Sequence, residues 1–319
     1  MRFRYQSPPL PEQTAITHFL DYTDRRIQRY IRAKQKLITL LEEQKQAIIH
    51  QAVTGQIDVR TGQPYPAYKD SGVEWLGEVP EHWDLRPAKR HFWEVDERSE
   101  TGSEELMSVS HITGVTPRSE KKVTMFTAVS NVGHKLCRPG DLVINTMWAW
   151  MAALGVARQA GIVSPSYSVY RPYRLSELLG EYTDLLLRTD SYKSEYTRRS
   201  TGIRSSRLRM YPEEFLRIKL LCPPPEEQRA IVEVVGKGTG SAMTDSNSAI
   251  SHTQRQIDLL SEYRTRLISD VVTGKLDVRE AAARLPEVDP LETEADLETL
   301  DPTTELTEEL GALAEGAPA

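Results

Sequence analysis

Cysteine, long apolar runs and clustered metal ligands are all scarce in this chain of 319 residues. Two cysteines, Cys137 and Cys222, are too few for a disulfide framework, which favours a reducing cytoplasm. No apolar run reaches the length of a membrane span, and no signal-peptide pattern is present. The seven histidines are scattered, and none stands at a metal-ligand spacing from another histidine or a cysteine. The sequence therefore predicts a cytoplasmic protein with no membrane contact and no metal site.

The motifs of common catalytic sites are also missing. The glycine-rich segment 236–240 lacks the spacing of a phosphate-binding loop, which ends in a lysine followed directly by serine or threonine. No Asn/Asp-Pro-Pro-aromatic tetrad is present, so the adenine pocket of an amino-methyltransferase is absent. Glu120 and Lys122 fit the Glu-x-Lys fragment of a nuclease site, but so short a match arises often by chance. These absences favour a binding protein, with a DNA-modifying enzyme as the alternative.

Charge is distributed unevenly along the chain, whose net charge is −6. Residues 277–319 hold thirteen acidic residues against two arginines, a net of −11. Residues 111–212 hold fifteen basic residues against seven acidic ones, a net of +8. The acidity thus belongs to a tail, 280–319, whose composition and lack of periodicity predict disorder, and the basic charge belongs to the centre.

One sequence unit occurs twice. Residues 8–16 and 223–231 both begin with prolines and continue as Glu-Gln-x-Ala-Ile. Residues 53–60 and 272–279 both read Val-Thr-Gly-x-(Ile/Leu)-Asp-Val-Arg. Agreement at both ends is too long for chance, so we expect one structural unit that is used twice, on either side of a different segment.

Each copy predicts a long helix, over 12–60 and 223–279, because apolar residues recur at alternating steps of three and four. Prolines precede each helix, and Gly55 and Gly274 stand where each should end. The segment 236–248 interrupts the start of the second helix. We expect the two helices to pack as an antiparallel coiled coil, a generic coiled coil being the plainest alternative. The predicted seam includes Ile27, Leu37, Leu41, Ile257, Leu260 and Leu267.

The segment between the helices, 61–222, mixes both kinds of secondary structure. Short β-prone runs and one helical stretch alternate within it, which predicts an α+β domain. Residues 69–83 predict an aromatic, turn-rich loop, and Trp75 and Trp83 are expected to anchor this aromatic loop to the domain. The β-prone runs cover 106–110, 141–144 and 167–170, and the helical stretch covers 176–199.

Arginines, hydroxyl residues and a glycine are concentrated in the segment 192–209. Arginine offers a planar set of donors to phosphate or guanine, and hydroxyls and exposed amides also hold phosphates, whereas the alternative is a solvated basic face. Asn145 is a further candidate for DNA contact or a turn, and Trp148 and Trp150 are expected in the core. The candidates in the basic segment are Arg198, Arg199, Thr201, Gly202, Arg204, Ser205, Ser206 and Arg207.

The two repeated ends, together with three further motifs, resemble the specificity subunit of type I restriction-modification systems. The further motifs are 68–77 (Tyr-Lys-Asp-Ser-Gly-Val-Glu-Trp-Leu-Gly) with 80–83 (Pro-Glu-His-Trp), 161–167, and 200–204. The resemblance covers residues 8–279. It implies a non-catalytic subunit whose target-recognition domain reads one half-site of a bipartite double-stranded DNA sequence, with the helices as spacers.

The resemblance also implies partners and a departure. Two methyltransferase subunits and the nuclease-translocase subunits would bind this chain, and S-adenosylmethionine, ATP and Mg²⁺ would belong to those partners. A full member has a recognition domain before the first helix, whereas residues 1–11 look like a remnant of one. We therefore expect a half-sized subunit that acts as a self-dimer on an inverted repeat, or an inactive fragment.

Overall fold

The computed structural model describes residues 8–120, 130–175, 177–202 and 208–286, which divide into two compact units. The first unit joins residues up to 43 with those from 245 onward, and the second spans 44–244. Within the described ranges, no helix is long and apolar enough to cross a membrane.

The described residues of the second unit form helices and strands, and those of the first unit form helices. The helices are α1 (Leu10–Val53), α2 (Gly180–Leu187), α3 (Asp190–Arg199), α4 (Pro212–Arg217), α5 (Pro225–Ile231), α6 (Ser241–Val272) and α7 (Arg279–Arg284). The strands are β1 (Tyr68–Asp70), β2 (Glu78–Pro80), β3 (Asp84–Pro87), β4 (Phe92–Val95), β5 (Met107–Ser110), β6 (Gly114–Pro117), β7 (Lys135–Cys137), β8 (Leu142–Ile144), β9 (Leu154–Val156), β10 (Gly161–Val163), β11 (Ser168–Pro172) and β12 (Lys219–Cys222).

Both long helices end in the same backbone turn. Gly55 has a φ of 79°, and the amide of Gln56 donates to the carbonyl five residues earlier at 2.8 Å. Gly274 has a φ of 73°, and the amide of Lys275 makes the same bond at 2.9 Å. Glycine is favoured at both places because, in this left-handed conformation, a Cβ would lie too close to the following carbonyl oxygen.

The antiparallel packing of the two long helices in the first unit is confirmed. Positions early in α1 contact positions late in α6, and later positions of α1 contact earlier positions of α6. One cluster buries Ile27, Ile31 and Ile257, with Ile38 and Leu260 packed against them. The other buries Leu267, Val271 and Val278, with Ile16, Phe19 and Leu20 packed against them.

One predicted seam residue of α1 requires correction. The side chain of Leu37 is 39% exposed, and the neighbouring Ile38 packs on the seam cluster instead. Steps of three and four both return to one helix face, so the sequence between Ile27 and Leu41 admits two phases. The buried Ile31 shows that the helix uses the phase that contains Ile31 and Ile38, not the one that contains Leu37. Leu41 belongs to both phases and is half-buried.

Polar side chains cross the same seam. The Nζ of Lys34 donates to Oε1 of Gln256 at 2.7 Å, and the guanidinium of Arg264 pairs with Asp24. Asp24 comes before Lys34 in α1, whereas the partner of Asp24 comes after the partner of Lys34 in α6. The two pairs therefore support the same antiparallel register as the apolar clusters. They satisfy groups that the seam partly removes from water.

The boundary of the acidic tail at residue 280 also requires correction. Residues Arg279–Arg284 form helix α7, in which Ala282 is buried, and the preceding Val278 belongs to the second seam cluster. The local sequence Glu-Ala-Ala-Ala has high helix propensity, and burial of one alanine adds to it. The predicted disorder from residue 287 onward lies outside the described residues.

The expected interruption before the second long helix is confirmed. Helix α5 runs directly into a π-helical turn, Val232–Gly236, and α6 begins only at Ser241. Two glycines flank the break, where Gly238 has a φ of 69°. The second copy of the repeat is therefore two helices where the first is one.

A four-stranded antiparallel sheet in the order β4-β11-β8-β9 is the centre of the second unit. One core includes Leu142, Ile144 and Tyr170, and a second includes Val143 and Val169 from the alternate positions of the same strands. The alternation places the two cores on opposite faces of the sheet. The three predicted strands are confirmed as β5, β8 and β11.

The predicted helical stretch 176–199 is two helices with a break at Thr189. The backbone of Thr189 is extended, and its hydroxyl donates to the carbonyl of Leu186 at 2.9 Å, near the end of α2. Tyr182, Tyr192 and Tyr196 lie on the two helices and are fully buried in the first core. The break thus lets two short helices cover the same core.

The carboxylate of Glu227 holds the aromatic loop in place. The prediction that Trp83 anchors this loop to the domain is confirmed. Its oxygens accept hydrogen bonds from Nε1 of Trp83 at 2.8 Å, from the hydroxyl of Tyr65 at 3.1 Å and from Arg60 at 3.0 Å, and they lie 2.9 Å from Nε2 of His82. Burial alone would raise the pKa of Glu227, but Trp83 and His82 outweigh it and hold the pKa below its usual value. Trp83 is fully buried at this centre.

Candidate nucleic-acid interface

The loop after strand β8 has a fixed backbone. The amide of Asn145 donates to the carbonyl of Ala153 at 2.9 Å, and the amide of Trp148 donates to the carbonyl of Asn145 at 3.0 Å. A 3₁₀ turn, Ala149–Met151, follows, and Ala152 adopts a φ of 57°. A left-handed alanine is unfavourable by roughly 1–2 kcal/mol, so the surrounding bonds must hold it in place.

Two large apolar side chains stand at the tip of this loop, facing solvent. Met147 is 45% exposed and Trp148 is 49% exposed. The indole Nε1 of Trp150 donates to the carbonyl of Met147 at 3.1 Å, and the two indole rings lie 6.2 Å apart at 20°. The expectation that Trp148 is a core residue is wrong, because Ala149 and Ala152 fill the buried positions of the loop instead.

Asn145 lies at the base of the tip and has one unused acceptor. Its Nδ2 donates to the hydroxyl of Tyr167 at 3.1 Å, while its Oδ1 is buried and has no hydrogen-bond partner within the described residues. Burial raises the pKa of the Tyr167 hydroxyl, although the charge of Arg118 opposes the shift. A buried acceptor without a partner costs about 1–3 kcal/mol.

The basic segment joins this loop through the backbone. Thr201 and Arg209 form a two-way backbone pair at 3.0 and 2.9 Å, and the amide of Met210 donates to the carbonyl of Thr146 at 3.0 Å. Gly202 directly follows Thr201 and so lies between the two paired residues. The remaining candidates of the segment, Arg204, Ser205, Ser206 and Arg207, lie outside the described residues.

Two of the predicted DNA-contacting arginines have intramolecular partners. Arg198 and Arg199 both bind the carboxylate of Glu195, at 2.8 and 2.5 Å, and Arg199 also binds Glu214 at 3.1 Å. Burial would raise the pKa of Glu195, but both arginines outweigh it and lower that pKa. Arg198 is 66% exposed against 22% for Arg199, so Arg198 is the better placed for a ligand.

Arg209 and Tyr211 extend the surface beyond the predicted residues. The guanidinium of Arg209 lies 5.8 Å from the ring centroid of Tyr211, a side chain that is 45% exposed. Such a pair offers positive charge and a flat apolar ring together. Arg209 belongs to the basic segment of the sequence, but nothing in the sequence around Tyr211 indicates this pairing.

A cysteine–histidine pair elsewhere in the unit does not have the properties of a nucleophile. The sulfur of Cys222 lies 3.2 Å from Nε2 of His91. Burial raises the pKa of the Cys222 thiol to about 12 and lowers that of His91, so both groups stay neutral. In the described ranges, no three histidine, cysteine or acidic side chains group as metal ligands. Glu120, the acidic residue of the nuclease-like fragment, ends a 3₁₀ turn, and Lys122 lies outside the described residues.

No family model and no curated protein matches the sequence. A chain solved for the structural basis of complex assembly and conformational transition of the type I R-M system matches with a TM-score of 0.56 and 15% identity, over 84% of this chain and 61% of that one. The HsdS subunit from Thermoanaerobacter tengcongensis matches with a TM-score of 0.46 and 17% identity, over 84% and 60%.

The S subunit of a type I restriction-modification system from M. genitalium matches with a TM-score of 0.38 and 12% identity, over 82% and 61% of the two chains. This chain therefore spans about three fifths of the length of the solved chains that it matches. The first of the three likenesses confirms the predicted fold, in which a long helix, a mixed α+β domain and a second long helix follow one another.

Proposed function

We propose that this protein is the DNA sequence-recognition subunit of a type I restriction-modification complex. The observation that carries the proposal is the shared fold, at a TM-score of 0.56, with a chain from such a system. The two copies of the repeated motif begin and end the long helices that flank the domain, as the resemblance implies. The domain between them is the recognition element, and it makes no covalent bond.

The chemistry of the candidate interface supports DNA as the ligand. The central segment 111–212 has a net charge of +8, which attracts phosphates regardless of sequence. Arg198 and Arg209 offer exposed guanidinium groups, while Met147 and Trp148 add an apolar tip. Phosphate contacts supply affinity and base contacts supply specificity, so an interface that reads sequence needs both kinds of group.

The proposal extends to partners of stated kinds. Methyltransferase and nuclease-translocase subunits would assemble on the helices, and they would bring S-adenosylmethionine, ATP and Mg²⁺. Such a complex works on cytoplasmic DNA, where free thiols such as Cys137 and Cys222 stay reduced. The chain itself contributes binding and spacing, and it requires no cofactor.

One recognition domain reads one half-site, so two domains are needed for a bipartite target. We propose that two copies of this chain associate about a two-fold axis and bind two identical half-sites in inverted order. A two-fold protein dimer imposes that symmetry on its target. An asymmetric target in cells that hold this chain and a methyltransferase would indicate a separately encoded recognition domain instead.

A binding selection from a pool of random-sequence duplexes tests the proposal on the purified full chain. We expect repeated rounds to enrich one short motif, present as an inverted repeat when the chain is dimeric. Enrichment of no motif, with equal and salt-sensitive binding of all duplexes, would contradict sequence recognition and favour an inactive fragment. Cleavage or methylation by the chain alone, in the presence of Mg²⁺ or S-adenosylmethionine, would favour the enzyme alternative.

Charge-removing variants identify the binding face in the same assay. Replacing Arg204, Arg207 or Arg209 by alanine should lower the affinity and reduce the slope of log K against log salt by about 1 each. Arg266 provides the matched control, because it is an 81% exposed arginine on α6, in the other unit. Equal salt slopes for all four variants would mean that the basic segment is a solvated face.

A further inference from the structure

We propose that Met147 and Trp148 form an apolar contact for the C5-methyl group of thymine in the major groove. This assignment rests on the proposed function and deepens it, because it names a base feature that the recognition domain reads. Neither residue was expected at the interface from the sequence. The argument rests on their exposure, on the rigidity of their loop and on the groups beside them.

The exposure of the two side chains is maintained by a rigid backbone. Backbone hydrogen bonds hold the loop, with lengths of 2.7 to 3.1 Å, and their donors include the amides of Asn145, Trp148, Met151, Ala152 and Ala153. The indole of Trp150 adds a side-chain hydrogen bond at 3.1 Å. A loop with so many internal bonds presents its tip in one conformation, which lowers the entropy lost on binding.

The strained backbone of Ala152 also supports a binding role for this loop. Ala152 is the one residue other than glycine with a positive φ among the described residues, and its side chain is buried. This backbone is retained although it is unfavourable, and it returns the chain to strand β9 directly after the tip. Strain of this kind is typical of binding loops whose geometry serves a ligand.

The chemistry of the tip selects the ligand feature. Met147 and Trp148 carry no charge, and the indole of Trp148 has only one donor, so they are poor partners for phosphate. In the major groove, the thymine methyl is the apolar group that distinguishes one base pair from the others. An apolar tip that enters this groove therefore contacts thymine by exclusion of water.

The neighbours of the tip are groups that suit the same groove. The hydrogen bond from the amide of Met210 to the carbonyl of Thr146 joins the tip to Arg209, whose guanidinium faces Tyr211. Asn145 lies at the base of the tip, where its buried side chain donates to the hydroxyl of Tyr167 at 3.1 Å and helps to fix the loop. Charge and apolar surface thus occur on one connected piece of backbone.

Substitution of the DNA and of the protein in parallel tests the contact. The motif selected by the full chain is resynthesised with uracil in place of each thymine in turn, which removes one methyl group. For the native chain, we expect one uracil position to lower the affinity about fourfold, the value of one buried methyl group. Trp148→Ala and Met147→Ala should lower the affinity for the thymine duplex and should no longer distinguish thymine from uracil at that position.

The salt dependence separates this contact from the basic one. Trp148→Ala should leave the slope of log K against log salt unchanged, because no counterion is released by an apolar contact. Trp93→Ala is the matched control, since Trp93 is another aromatic residue of this unit, 36% exposed, with its ring centroid 4.8 Å from that of Tyr173 and the two rings tilted. Thermal unfolding and circular dichroism of each variant verify the fold.

Three outcomes overturn the assignment while leaving the proposed function in place. Sequence-specific binding that is unchanged in both variants would show that the tip does not touch DNA. Full discrimination of uracil by Trp148→Ala would show that another group reads the methyl. Unchanged DNA affinity with lost binding of the methyltransferase subunit would make the tip a protein contact. Failure of the native chain to select any motif would instead overturn the proposed function itself.

Discussion

The two copies of the repeated unit share their local structure and differ in their surroundings. In both, the glutamine side chain of Glu-Gln-x-Ala-Ile donates to a proline carbonyl at 2.8 Å, from Gln13 to Pro8 and from Gln228 to Pro223. Both helices end in the same glycine turn, after which an arginine and an aspartate pair two residues apart. These features follow from residues a few positions apart, so the same sequence gives them twice.

The surroundings determine how far each copy is buried. At the end of the first helix, the side chain of Asp58 is 11% exposed and Arg60 reaches Glu227. At the end of the second, Asp277 is 60% exposed, and Glu12 acts on Arg279 only through its charge. The aromatic loop makes the difference in the first case. The same local motif is thus part of a core at one end and a surface turn at the other.

Alanine at the two turn glycines should break the comparison most strongly. A Cβ at Gly55 would lie 2.4 and 2.5 Å from ring carbons of Pro80, whereas at Gly274 nothing described lies within 4 Å. Both changes strain the left-handed backbone by roughly 1–2 kcal/mol, and Gly55→Ala adds roughly 1–3 kcal/mol of overpacking. Urea unfolding should therefore show a larger loss of stability for Gly55→Ala. Equal losses would mean that the Pro80 contact relaxes freely.

Removal of the repeated glutamate charge should have the next largest effect. Glu227→Gln weakens the hydrogen bonds of Trp83 and Tyr65, both buried, and should lower the free energy of unfolding by roughly 1–3 kcal/mol. Glu12→Gln removes the matching glutamate of the first copy and should leave the melting temperature unchanged. Similar melting temperatures for the two variants would contradict the difference in surroundings.

The pH dependence of stability should sharpen that contrast. The pKa of Glu227 lies below its ordinary 4.5, so its ionised form stabilises the fold above pH 4.5, and this contribution is lost as the pH falls through the lowered pKa. Glutamine does not titrate there. We therefore expect the stability difference between the native chain and Glu227→Gln to be constant above pH 4.5 and to shrink below it. A stability difference that does not change with pH would show that the ionised carboxylate of Glu227 does not stabilise the fold.

The smallest expected effect is that of the aspartate pair. Asp58→Asn breaks two charged hydrogen bonds from Arg60, each 2.8 Å long and partly buried, and should cost about 1 kcal/mol. The exposed Asp277 has its pKa lowered to about 2 by Arg279, and Asp277→Asn should change the midpoint of urea unfolding less than Asp58→Asn does. The reverse order would mean that the exposed pair has a structural role that its surroundings do not show.

The sequence predicts those parts of the fold that depend on near neighbours. The two helix ends, the interruption before α6 and strands β5, β8 and β11 all follow from local patterns. The seam phase does not, because steps of three and four are equally compatible with Leu37 and Ile38 until α6 packs on one of them. The break at Thr189 is equally hidden, since the residues on both sides favour helix and only the core requires a turn.

The candidate site is predicted less completely. Thr201 and Gly202 are exposed, and backbone hydrogen bonds join their segment to the loop of the buried Asn145. The internal ion pairs of Arg198 and Arg199, in contrast, depend on Glu195 and Glu214. Glu195 is in the same helix and was available as a signal at helical spacing. The exposure of Met147 and Trp148 could not be predicted from the sequence, because apolar residues in a short run are normally buried. Only the folded loop shows which of them face water.

The backbone pair between Thr201 and Arg209 has a consequence for inheritance. Both hydrogen bonds use main-chain atoms, so they persist whatever side chains the intervening positions carry. Mutations between the two residues therefore change the groups offered to DNA, Arg204 and Arg207 among them, without removing this pair. A lineage that carries this protein can exchange this stretch for another while the rest of the domain is inherited unchanged.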